Sequence, residues 1–241
     1  MDRQIPEPRR IIQPDPESFP DAAAALIVDV IEDSVRHHGH CAAALAGGST
    51  PRPVYECLAR PPLAARVDWG RIAIYFGDER CVPPGDEQSN YRMVNEALLR
   101  QVPIPCSSIH RMEGERADRD AAARDYERLL PAQLDLLVLG MGEDGHTASL
   151  FPHSPALAER ERRVVPVTGP GPVIERLTIT PPVIDAAETV IVLVAGAGKA
   201  TIIARALEGP YVPDDLPVQL ALGGTWLIDD AAARELRRDC T

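Results

Sequence analysis

Lysine is almost absent from this chain: of 25 basic residues, only Lys199 is not arginine. Positive charge is short overall, with a formal net charge of -11. That balance excludes nucleic acid and anionic membrane surfaces as general partners. It also means that an anionic substrate needs a local cationic pocket set against a repulsive global field. No apolar run reaches the roughly 18 residues of a membrane-spanning helix. Met1 to Arg10 carries charges and prolines without an apolar core, unlike a secretory signal. The five cysteines (Cys41, Cys57, Cys81, Cys106 and Cys240) are scattered and form no CxxC pair. A disulfide framework or zinc site is therefore not expected, and a reducing cytoplasm is. Repeats, heptads and low-complexity blocks are missing, and no Pro-rich stretch is long enough to link domains. At 45% hydrophobic and 25% charged, residues 1–241 read as a single domain large enough to bury a core without staples.

What is present is an alternation of helices and strands. Ser18 to His38 reads as an amphipathic helix with Ser18 as N-cap and Gly39 as its stop. Helices are also expected over Pro51–Ala59, Asn90–Arg100, Asp118–Leu130 and Lys199–Leu207, with a helical tail from Asp230. Strands are expected at Cys41–Ala46, Ile72–Phe76, Leu134–Leu139, Arg176–Thr180, Thr189–Val194 and Thr225–Ile228. Gly77 to Ser89 reads as a polar loop. Several strands are continuously apolar, the pattern of a parallel sheet covered on both faces.

The chemistry gathers after four of these strands. Ala46 is followed by Gly47-Gly48-Ser49-Thr50, and Phe76 by Gly77-Asp78-Glu79-Arg80. Leu139 is followed by Gly140-Met141-Gly142-Glu143-Asp144-Gly145-His146, and Val194 by Ala195-Gly196-Ala197-Gly198-Lys199. In parallel α/β sheets, ligands bind beyond the carboxyl ends of the strands, so four such loops should share one crevice. Gly47, Gly48, Ser49 and Thr50 suit a phosphate: close backbone approach, two hydroxyls and a helix N-terminus opening at Pro51. The blander alternative makes Thr50 a simple N-cap. Lys199 adds a compact charge for a phosphate oxygen. Its loop lacks Walker A spacing, which disfavours ATP. Gly140 to Gly145 matches GxGxxG, yet Glu143 and Asp144 would repel a pyrophosphate, and Pro152 and Pro155 cut the following helix short. His146 is the best acid–base candidate, whereas His37, His38 and His40 read as solvated around a helix end. No second histidine stands at ligand spacing from His146, His153 being seven residues on, so no metal is expected there.

These segments together resemble the 6-phosphogluconolactonase family over most of the chain. The resemblance rests on Ala46-Gly47-Gly48-Ser49-Thr50-Pro51, on Val67-Asp68-Trp69 through Phe76-Gly77-Asp78-Glu79-Arg80, and on Ser89-Asn90-Tyr91. It continues through Asp135–Pro152, Arg176–Thr180 and Gly196–Ala200. It implies a Rossmann-like three-layer α/β/α sandwich with a mostly parallel sheet, shared with sugar-phosphate isomerases, and no cofactor. It implies hydrolysis of a phosphorylated sugar lactone, the second step of the oxidative pentose phosphate pathway. By that pattern His146 activates water beside Asp144, while Gly48, Ser49, Thr50, Arg80, Arg176 and Lys199 handle the phosphate and sugar acid. Asp78 and Gly47 are expected in the same site, and the chain is expected to be a monomer or weak homodimer.

Two alternatives stay open. A deaminase or isomerase of this fold typically follows Asp-Gly-His with a segment containing Asn-Glu-Pro, but here Phe151 fills the glutamate position. A non-catalytic sugar-phosphate sensor would bind without turnover. The sequence also departs from the family at Gly169-Pro170-Gly171-Pro172, where a lysine is usual; Arg162 or Arg163 could compensate.

Overall fold

Strands with apolar residues on both faces need helices on both sides, and this sheet has them. The computed structural model describes residues 7–237 apart from Val173. Cys240 and most of the charged N-terminal stretch lie outside the described residues. In chain order the elements are β1 (Arg9–Gln13), α1 (Phe19–His38), β2 (Cys41–Leu45), α2 (Pro51–Leu58), α3 (Leu63–Arg66), β3 (Ile72–Phe76), β4 (Asp78–Arg80), α4 (Asn90–Ala97), α5 (Arg119–Leu129), β5 (Leu136–Gly140), β6 (Val164–Thr168), β7 (Glu175–Ile179), α6 (Pro181–Ala186), β8 (Thr189–Val194), α7 (Ala200–Glu208), β9 (Thr225–Asp229) and α8 (Asp230–Ala233).

One sheet runs β1-β9-β8-β5-β2-β3, and its pairings are parallel. Side chains alternate between its two faces. Cys41, Ala43 and Leu45 of β2 pack in a core with Ile27 and Ile31 of α1, Val54 and Tyr55 of α2, and Val94 of α4. Ala42 and Ala44 pack in a second core with Ala123 and Tyr126 of α5 and Ile203 of α7. The result is the expected three-layer α/β/α sandwich. Helix α1 buries Phe19, Ala23, Ala24, Ile27, Val28 and Ile31 at three- and four-residue spacing. Each large aliphatic or aromatic side chain so buried is worth roughly 1.5–3 kcal/mol, which is what holds the helix down. It ends at Gly39, whose N–H donates to the Val35 carbonyl.

The strand order reverses at β2. From there the chain builds outward to β3, then crosses back to β5 and continues to β8 and β9. The loops leaving β2 and β5 therefore part in opposite directions and open a crevice. Two buried tyrosines fix the strand ends beside it. The Tyr55 hydroxyl of α2 accepts from the Ala46 N–H and donates to the Ala46 carbonyl, both at 3.0 Å. The Tyr126 hydroxyl of α5 does the same for Phe76, at 2.7 and 3.1 Å. Burial pushes both phenols far above their ordinary range.

Several expectations need correction. Gly77–Ser89 is not wholly loop: Asp78–Arg80 forms β4, antiparallel to β7, in a second sheet of order β4-β7-β6. Charged residues hid a strand whose partner lies about a hundred residues on. The Arg176 strand belongs to this small sheet rather than to the parallel one. The helix expected over Asn90–Arg100 stops at Ala97 and passes into a 3-10 turn at Leu99–Gln101. Ser18 makes no capping hydrogen bond; its hydroxyl donates to the Asp15 carbonyl. His38 is not merely solvated, because its Nδ1 lies 2.8 Å from Asp135 Oδ1.

Candidate active site

The turn leaving β2 and the turn leaving β5 line one hollow of about 240 Å³, and their residues meet Asp78, Arg80, Asn90, Arg176 and Lys199 there. Gly47, Gly48, Ser49, Thr50 and His146 are on its wall. Asp144 stands behind His146: its Oδ1 lies 2.5 Å from the imidazole Nδ1 and also accepts the His146 backbone N–H at 3.1 Å. Burial disfavours the Asp144 charge. The hydrogen bond and charge of His146 outweigh that, and hold the carboxyl below its ordinary value. A carboxylate only accepts, so Nδ1 carries the proton of this bond and Nε2 is left as the basic nitrogen.

On the facing wall, Lys199 Nζ lies 3.5 Å from Thr50 Oγ1. Thr50 itself is helical in backbone and makes no capping bond. The simple N-cap account therefore fails, and the hydroxyl is turned toward the lysine instead. Burial pushes the Lys199 ammonium down from its ordinary value, against the pull of Glu143 and Asp229. Asp229 also accepts the Gly196 N–H at 2.9 Å, which fixes the turn that carries the lysine.

Arg80 and Arg176 sit across the β4–β7 pair as direct register partners. Burial pushes the Arg176 guanidinium down, Arg80 adds repulsion, and Asp78 opposes both. The Nε atoms of Arg80 and Arg176 and the Oδ1 of Asn90 are buried without a hydrogen-bond partner. All three side chains line the hollow. The two guanidinium Nε–H donors, on paired cations, suit an anion, whereas Asn90 Oδ1 is an acceptor and suits a hydroxyl.

The acidic residues of the β4 segment work as scaffolding. Asp78 accepts from Asn90 Nδ2 at 3.0 Å and from Ser149 Oγ at 2.6 Å. Glu79 accepts the N–H groups of Arg80, Asn90 and Tyr91 and the Ser89 hydroxyl. Its carboxylate thus caps the first turn of α4, where the helix dipole favours it. Burial still pushes the Glu79 carboxyl up, these four bonds opposing. Asn90 and Ser149 are not among the residues to which the sequence assigns a role, and Glu79, which stands in one of the four strand-end loops, serves as a cap rather than as a reacting group. Asn90 lies in a matched motif, but its contact with Asp78, 12 residues earlier, forms only when α4 folds back on β4.

Phe151 holds the imidazole side of the site together. Its ring centroid is 4.8 Å from that of His146, and the Arg176 guanidinium lies 5.3 Å above it. The Gly169–Pro172 loop contributes the Pro170 carbonyl, which accepts from Arg176 Nη2 at 3.1 Å. Arg162 and Arg163 do not compensate for its missing lysine. Arg162 pairs with Asp120 and Glu127, and Arg163 donates to the Leu130 and Pro131 carbonyls, away from the hollow. A larger hollow of about 560 Å³ lies on the other side of Arg176. Its other titratable lining residues are Glu159 and Glu175, which repel an anion, so the smaller hollow is where the chemistry belongs.

Comparison with known proteins shows the family. The family model for glucosamine-6-phosphate isomerases/6-phosphogluconolactonase matches residues 14–228. A 6-phosphogluconolactonase of Synechocystis sp. is 37% identical over 231 residues, covering 90% of this chain and 93% of that one. One from Streptomyces coelicolor is 35% identical over 250 residues, covering 96% and 95%. Among solved structures, the 6-phosphogluconolactonase from Trypanosoma cruzi superposes with a TM-score of 0.85 at 28% identity, covering 99% of this chain and 100% of the other.

Proposed function

We propose that this chain, which belongs to the glucosamine-6-phosphate isomerase/6-phosphogluconolactonase family, hydrolyses 6-phospho-D-glucono-1,5-lactone to 6-phospho-D-gluconate. Relatives named for this reaction match nearly the whole chain. The observation that carries the reading is a single hollow holding both an aspartate-held imidazole and a lysine–hydroxyl pair.

The chemistry follows from that arrangement. The phosphate binds where Lys199, Thr50, Ser49 and the Gly48 turn meet, at the N-terminus of α2. It does not react; its binding energy orients the lactone carbonyl against a water at His146. His146 Nε2 takes a proton as the water oxygen bonds to C1. The carbonyl π electrons move onto oxygen, and the positive wall of Arg80 and Arg176 stabilises the tetrahedral anion. On collapse, the C1–O5 bond breaks and O5 takes the proton back from the imidazolium. Asp144 keeps the ring in the right tautomer and steadies its positive form, and Phe151 keeps it in place. An imidazole can both accept and return a proton, which suits both transfers.

The test is a direct assay on freshly made 6-phosphogluconolactone with spontaneous hydrolysis subtracted. Wild type should open the lactone, and His146→Ala should lose about 10²–10⁴-fold in turnover. Near-normal turnover in that variant would discard the mechanism. Ammonia release from an amino-sugar phosphate by the wild type would discard the function.

A further inference from the structure

The amino ends of the strands carry a cluster that lactone hydrolysis leaves unused. His38 ends α1, Asp135 precedes β5 and Glu188 precedes β8. Their ligand atoms all lie within 4.8 Å of one another. His38 Nδ1 is 2.8 Å from Asp135 Oδ1 and 3.8 Å from Glu188 Oε2. A small hollow of about 100 Å³, lined also by Asp33, Ser34 and His37, opens onto them.

We propose that these three side chains form a binding site for a divalent transition-metal ion, with zinc the best fit. One imidazole and two carboxylates are the donor types that ions of this class take. Zinc–ligand bonds of about 2.0–2.2 Å in a tetrahedral arrangement set ligand atoms about 3.3–3.5 Å apart. The two spacings from His38, 2.8 and 3.8 Å, bracket that range, and the third pair, Asp135 and Glu188, lies within 4.8 Å, so side-chain movements of roughly an ångström close the site. Asp135 is already aimed: its side chain is 11% exposed, and its other oxygen accepts the Ala42 N–H at 2.6 Å. Bonds of that kind orient ligands in metal sites. Charge points the same way. In a chain whose carboxylates are widely paired with arginine, neither Asp135 nor Glu188 has an arginine ion-pair partner among the described residues. No arginine or lysine lines the hollow, and Asp33 is bound to Arg36. The remaining coordination positions fall to water. Such an ion joins the end of α1 to the starts of two central strands. It lies the full length of β5 from His146, roughly 15–20 Å at about 3.3 Å per residue, so its role is structural.

The test uses the full chain, stripped with a chelator and titrated with zinc chloride. Zinc uptake is followed by equilibrium dialysis and stability by thermal unfolding. Wild type should take up one zinc equivalent that His38→Ala and Glu188→Gln both lose. Both variants should keep wild-type lactone hydrolysis. At about a hundredfold excess over the dissociation constant, zinc should raise the wild-type Tm by roughly 5–10 °C and leave the variants unmoved. Equal uptake and equal Tm shifts in wild type and both variants overturn the proposal. So does an equivalent that His146→Ala loses and His38→Ala keeps, because it puts the ion at the hydrolytic site.

Discussion

Replacing Gly142 by alanine should disable the imidazole without replacing any group that reacts. A Cβ built at Gly142 would stand 2.1 Å from His146 Nδ1, 2.2 Å from its Cε1 and 2.7 Å from Asp144 Oδ1. Ordinary contact begins at 3.4 Å, so the ring must retreat by roughly 1.3 Å, the shortfall in that contact. The 2.5 Å bond between Nδ1 and Asp144 then cannot survive in its present geometry. Gly142 does not need the left-handed backbone region, so alanine can follow its path. The turn bonds from Gly142 N–H to the His146 carbonyl and from Gly145 N–H to the Gly142 carbonyl need no side chain. One side-chain hydrogen bond at a partly exposed position costs about 0.5–1.5 kcal/mol, a Tm loss of a few degrees. Turnover is more sensitive: misplacement of about 1 Å costs on the order of 10²-fold. Steady-state kinetics on fresh lactone should therefore show kcat down about 10²-fold or more with KM little changed. In a His146→Ala background the same substitution should cost nothing further, since both act on one ring. Turnover within threefold of wild type, or an equal loss in both backgrounds, refutes the reasoning.

Other outcomes follow from single contacts. Lys199→Met should raise KM about 10–100-fold, the loss of a charged hydrogen bond worth about 1.5–3 kcal/mol, measured by the same kinetics. The same variant should also melt higher near neutral pH. Burial holds the folded lysine below its ordinary pKa of 10.5, so the charged form costs the wild type stability. That cost shrinks as pH rises through the folded value, and a Tm gap that widens with pH contradicts this. Tyr55→Phe removes the clip on Ala46 and leaves a buried N–H unmatched. A loss of about 1–3 kcal/mol should appear as a lower Tm, by roughly 2–12 °C for a chain of this size. For Asp144, the folded pKa is below its ordinary 3.8, so its contribution is present above that value and lost as pH falls through the folded one. Asp144→Asn should flatten the acid end of a Tm-against-pH curve.

Much of this protein was fixed locally. Unbroken apolar runs at Cys41–Leu45, Leu136–Leu139 and Ile191–Val194 require cover on both faces, and that alone dictates a layered parallel sheet. Glycines and reactive side chains directly after those runs placed Ser49, His146 and Lys199 at one end of it. Other features needed the third dimension, because they are contacts that only the folded chain brings together. Asp78–Arg80 looks like a solvated charged loop until Arg176–Thr178 lies beside it. Glu79 looks reactive until the first turn of α4 delivers its N–H groups to it. Gly142 reads as one letter of a weak nucleotide motif, yet the imidazole four residues on is what forbids a side chain there. Local periodicity and loop chemistry act over a few residues, so the chain spells them out. Register, burial and orphaned donors arise only when remote segments share one solvent-free space, and those decided how the hollow is walled.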